Sequence, residues 1–66
     1  MVIKINGETK VLESTLTLTE LMMRFGYADS FVAIAVNRTF VPRSRFVETP
    51  VAENDDIEIL SPMAGG

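Results

Sequence analysis

The residues with the most specific chemical implication are Gly65 and Gly66, which follow Ser61-Pro62-Met63-Ala64. Lacking side chains, paired glycines form the thinnest peptide a chain can offer, able to thread a narrow channel and present the Gly66 carboxylate to a reagent held inside it. The chemistry implied is activation of that carboxylate, which resists nucleophiles until one oxygen becomes part of a good leaving group. Competing chemistries have little to work with. The chain has no histidine and no cysteine, so a Ser/His or Cys/His nucleophile pair cannot be built and zinc lacks its commonest ligands. No catalytic residue and no metal site is assigned. Glu53, Asp55, Asp56 and Glu58 cluster in sequence, but their spacing does not match an EF-hand loop, and Asp56 and Glu58 are expected on a solvated edge. Arg38, Arg43 and Arg45 form a small basic set that could meet an acidic partner surface or remain a solvated face. There is no glycine-rich phosphate loop.

The elements that must position the glycines are few. With 66 residues there is room for one domain, whose small core must offset on the order of 100 kcal/mol of conformational entropy. A hydrophobic fraction of 47% suits a globular core. A net charge of −3 weighs against nucleic-acid binding, which needs a basic footprint. The absence of cysteine, of a signal-peptide pattern and of a long apolar run points to a cytoplasmic protein with no membrane association.

Residues 2–5 alternate apolar and polar and lead into Asn6-Gly7, the dipeptide best suited to a type I′ hairpin turn. A second strand is expected over residues 8–12, with its facing open because Val11 and Leu12 are adjacent. Thr17-Leu18-Thr19-Glu20 matches a capping box. The helix it starts carries Leu18, Leu21, Met22 and Phe25 on one stripe, with Glu20 and Arg24 as an i,i+4 surface pair. Gly26 suits the residue that ends it. Residues 31–36 are apolar on both faces and read as an interior strand. Asn37-Arg38 turns the chain into a short strand over residues 39–41, which Pro42 ends at an edge. A helical turn near residues 44–47 should tuck Phe46 into the core, with Val51 anchoring the far side. Asn54-Asp55-Asp56 then precedes the last strand, residues 57–60. Pro62 prevents that strand from continuing. The order predicts an α+β fold with one helix on one face of a mixed five-stranded sheet. Placing the first and last strands side by side and parallel gives a β-grasp arrangement, a single domain over residues 1–66 in which residues 61–66 are a flexible functional tail leaving at the Asn6-Gly7 end.

Val36-Asn37, Val41-Pro42-Arg43, Asp56-Ile57-Glu58-Ile59-Leu60 and Gly65-Gly66 together resemble the sulfur carrier proteins of thiamine thiazole synthesis, a ubiquitin-like β-grasp family. The resemblance covers nearly the whole chain; Asp55 departs from it, standing where the family commonly has glycine. It implies a carrier, not an enzyme. It further implies that a ubiquitin-activating-type adenylyltransferase uses ATP to convert the Gly66 carboxylate to an acyl-adenylate, that a sulfur donor system gives the thiocarboxylate, that thiazole synthase accepts the sulfur, and that the carrier itself holds no cofactor. Alternatives are a carrier for molybdopterin synthesis, a ubiquitin-like protein modifier, or a plain interaction module. The sheet face opposite the helix, near the exit of the tail, is the expected docking platform. Phe40, Val41 and the outward residues of 57–60 would form its centre, Arg38 and Arg43 its rim, and Met63 and Ala64 further contacts.

Overall fold

The structure, a computed structural model, describes residues 1–27 and 31–60. The expectations for Pro62, Met63, Ala64, Gly65 and Gly66 therefore lie outside the described residues.

Alternation builds the first hairpin. β1 (Val2–Ile5) buries Ile3 and Ile5 and exposes Val2 and Lys4, and β2 (Glu8–Val11) pairs with it antiparallel, Val2 opposite Val11. Asn6 and Gly7 both take positive φ, 51° and 85°, as the tight turn requires. The facing left open by the sequence is settled: Val11 is 72% exposed and Leu12 is buried. Leu12 continues the pairing beyond β2, its N–H donating to the Met1 carbonyl at 2.8 Å.

α1 (Leu18–Arg24) starts at the capping box, with Thr17 Oγ1 accepting from Glu20 N–H and Glu20 Oε1 accepting from Thr17 N–H. Glu20 is thus engaged at the N-terminus, and no ion pair with Arg24 forms among the described residues. The i,i+4 expectation fails because the cap competes for the same carboxylate. Gly26 at φ 87° ends the helix, and Tyr27 N–H donates back to the Met22 carbonyl at 2.7 Å.

β3 (Ala33–Val36) is shorter than the apolar run that announced it. Phe31 lies outside the strand and is 74% exposed. β4 (Thr39–Val41) returns through Asn37 and Arg38, both at positive φ. A 3-10 helix (Arg43–Glu48) buries Phe46, and the long connection after it is stitched to the loop before α1. Leu18 N–H donates to the Thr49 carbonyl, Val51 N–H to the Leu16 carbonyl and Thr15 Oγ1 to the Val51 carbonyl. β5 (Asp56–Leu60) completes a sheet of order β2-β1-β5-β3-β4 in which β5 runs parallel to β1 and antiparallel to β3.

One face of this sheet is the core. Ile3, Ile5, Ile34, Ile57 and Ile59 meet Leu18, Leu21 and Met22 of α1 together with Phe46 and Val51. The architecture is the expected mixed five-stranded sheet with a helix against one face. Asp56 and Glu58 are exposed, yet on the central strand and not on an edge. In the turn before β5 the positive φ, 67°, falls on Asn54 and not on Asp55. Its largely buried carboxylate instead accepts from Asn37 Nδ2 at 2.9 Å and Ala52 N–H at 2.7 Å.

Candidate functional site: the end of the central strand

β5 leads directly into residues 61–66, so the surroundings of its last residues are the described part of the candidate site. Two strands flank it unequally. On one side β3 keeps pace, Ile34 opposite Ile59 and Ala33 opposite Leu60. On the other, the parallel ladder with β1 reaches only Ile5 opposite Ile57, and its last main-chain bond runs from Asn6 N–H to the Ile57 carbonyl at 2.8 Å. There the main chain turns away, and the Asn6 side chain takes over. Its Oδ1 accepts from Ile59 N–H at 2.8 Å while its Nδ2 donates to the Ile59 carbonyl at 3.0 Å. Asn6 was legible in the sequence only as a turn residue. Nothing local signals a bond to a partner 53 positions away.

Asn37 does the equivalent at the start of β5, its Oδ1 accepting from Asp56 N–H at 2.9 Å and its Nδ2 bonding Asp55. The central strand is gripped at both ends by the asparagines of the two hairpin turns.

On the sheet face away from the core, where the docking platform is expected, the residues are distributed differently from that expectation. Phe40 is 64% exposed opposite Ala35, which in turn faces Glu58, and Leu60 is 66% exposed opposite the exposed Ala33. Val41 does not belong with them. It pairs with Ile34, whose side chain is fully buried, and packs half-buried against the core. Strand alternation places residues 40 and 41 on opposite faces.

Arg38 and Arg43 also separate. Asn37 N–H donates to the Asp56 carbonyl, so the Arg38 turn lies beside the start of β5, at the opposite end from Leu60. Arg43 follows β4 back towards the beginning of β3, where its guanidinium carbon sits 4.6 Å from the centroid of the Phe31 ring. Arg45 is 3.8 Å from Glu48. The three arginines thus form no single patch. Phe31, which the sequence placed inside a strand, joins Leu60 as an exposed apolar residue at the end where β5 finishes, with Arg43 stacked on it. Nearby, Asn6 borders a shallow groove of about 310 Å³ with Lys10 and Phe25 in its wall. The Lys10 ammonium is 3.5 Å from Glu8 and 5.5 Å from the Phe25 ring centroid.

The carboxylates do not converge into an acid/base or cation site. Glu53 accepts from Val2 N–H at 2.9 Å, Asp55 is occupied as described, and among the described residues no three acidic side chains are placed to hold a metal. No helix among them is long and apolar enough to cross a membrane.

With this geometry in view, the comparisons with known proteins agree with one another. A family model described as ThiS family matches residues 3–66. The chain is 35% identical over 66 residues to a thiazole synthase of Magnetococcus marinus, and 31% identical over 64 residues to the uncharacterized protein ycf40 of Porphyra purpurea. It spans only 20% of the length of the thiazole synthase but 90% of the ycf40 protein. Among solved structures, the crystal structure of a thiamine biosynthesis protein (ThiS) from Geobacter metallireducens superposes with a TM-score of 0.85 at 29% identity, over 100% of both chains.

Proposed function

Because this chain belongs to the ThiS family, we propose that it is a sulfur carrier of thiamine biosynthesis whose reactive group is the Gly66 carboxylate. The observation that carries this reading is that the family match runs through residue 66, so that Gly65 and Gly66 lie inside the matched region. The folded body then acts as a handle and the glycines as the reacting end.

In this reading a ubiquitin-activating-type adenylyltransferase holds ATP, and a Gly66 carboxylate oxygen attacks the α-phosphorus. An acyl–oxygen–phosphorus bond forms, and the bond to the leaving pyrophosphate breaks. A hydrosulfide equivalent from the donor system then adds to the carbonyl carbon, and AMP departs with its electron pair, leaving a thiocarboxylate. Thiazole synthase accepts the sulfur. Two proteins named thiazole synthase contain a segment similar to this entire chain, which supports that acceptor over a molybdopterin one. The carrier supplies no acid, base or bound cofactor to these steps. Its contribution is to deliver one carboxylate to two different enzymes.

Intact-mass measurement after incubation with the adenylyltransferase, ATP and sulfide tests the proposal. The expected product is heavier by the replacement of one oxygen by sulfur, and deleting Gly66 should abolish it while leaving the thermal midpoint unchanged. An unaltered wild-type mass would overturn the carrier reading, and isopeptide-linked ladders would replace it with a modifier.

A further inference from the structure

We infer that Asn6 is a positioning residue for carboxylate transfer, fixing where and at what rotation the chain leaves the sheet; the inference rests on the carrier reading and deepens it. The Ile59 N–H and carbonyl both point towards β1, where the strand has already ended. A single carboxamide meets both, one bond in each sense, at 2.8 and 3.0 Å. From one side chain it supplies the acceptor and the donor that a continuing parallel β1 would have offered from two residues, two positions apart. Being planar, it sets the rotation of the Ile59 peptide groups as well as their position.

Few side chains satisfy both demands at this site. The backbone of Asn6 has φ 51°, a conformation tolerated by glycine, asparagine and aspartate. Glycine has nothing to reach Ile59 with, and aspartate can accept from the N–H but cannot donate to the carbonyl. Held by Asn6 on one side and paired with β3 on the other, β5 stays in register to its end. The Gly66 carboxylate is delivered from this anchor, so displacing or rotating the anchor alters how often it meets the docked reagent in a productive geometry, and misplacement of a reacting group by about 1 Å can cost on the order of 100-fold in rate.

The molecule contains its own control. Asn37 occupies the same kind of turn at the same φ of 51° and grips the other end of β5. Asn6→Gly and Asn37→Gly each keep the turn and remove one grip.

The experiment measures steady-state pyrophosphate release by the adenylyltransferase with ATP and each carrier variant, together with amide hydrogen exchange at Ile59 and thermal midpoints. Asn6→Gly should speed Ile59 exchange and lower kcat at least about tenfold with little change in KM. Asn37→Gly should lower the midpoint at least as much yet keep the wild-type kcat. If Asn6→Gly fails to fold, Asn6→Asp, which keeps size and acceptor, should show the same loss of kcat in smaller degree. A wild-type kcat in the folded Asn6 variant, unchanged Ile59 exchange, or an equal kcat loss in Asn37→Gly would overturn the inference while leaving the carrier reading intact. A wild-type protein that releases no pyrophosphate would overturn the carrier reading, and this inference with it.

Discussion

Asn6 and Asn37 bring the same carboxamide into the same kind of turn, and in both cases it bonds a strand that neither turn belongs to. Asp55 completes the second grip. Asp55→Ala should therefore lower stability by about 1–3 kcal/mol, since it removes two hydrogen bonds that the exposed Asn37 Nδ2 and Ala52 N–H make to a largely buried carboxylate; a urea unfolding series reads this, and a loss near zero would show that water replaces the carboxylate without cost. In the core, Ile57 is fully buried whereas Phe25 is only half-buried. Ile57→Ala should cost about 2–5 kcal/mol and Phe25→Ala distinctly less, so equal losses would contradict the burial described here. The periodicity of α1 placed Phe25 on the apolar stripe but could not show that the helix gives way at that residue, which serves as its C-cap. The turn role of Asn6 was equally legible, while its clamp was not, because local patterns carry no information about partners far along the chain.

Among the elements, those with strong local chemistry were readable: the capping box, the Asn6-Gly7 turn with its positive φ, the place of the Asn37-Arg38 turn, and the glycine that ends α1. β3 was misjudged because six apolar residues in a row have no period to reveal which of them pair. Only Ala33–Val36 join the ladder, leaving Phe31 outside it. β4 illustrates what alternation implies for function. Phe40→Asp should leave the midpoint nearly unchanged and weaken binding to both the adenylyltransferase and thiazole synthase, whereas Val41→Asp should destabilise the fold by pressing a carboxylate against the Ile34 side of the sheet. Calorimetry of folding and of binding on both variants checks this, and a reversed pattern would assign the wrong residue to the open face. At the helix start, Thr17→Ala should cost about 1 kcal/mol.

At the scale of the molecule, a short peptide has little surface with which to offset its own ordering, so the body must supply most of the affinity for partners. A synthetic peptide of residues 61–66 is expected to be a very poor adenylation substrate, and one that rivals the whole protein would refute recognition through the fold. Arg43→Ala should mainly change the salt dependence of association, because an exposed charge tunes encounter more than dissociation. The placing of β5 between β1 and β3 also bears on how the protein comes to exist. The strand that joins the two hairpins is the last of the elements to be synthesised, so a nascent chain lacking it has two separate hairpins and a helix with no common sheet to cover. Neither half can reach a native state first and template the other. Folding must await a segment far along the chain, and the loop closures this requires should make it slower than in helical proteins of similar size. Each hairpin is local, but the sheet that unites them closes only when β5 is in place between β1 and β3.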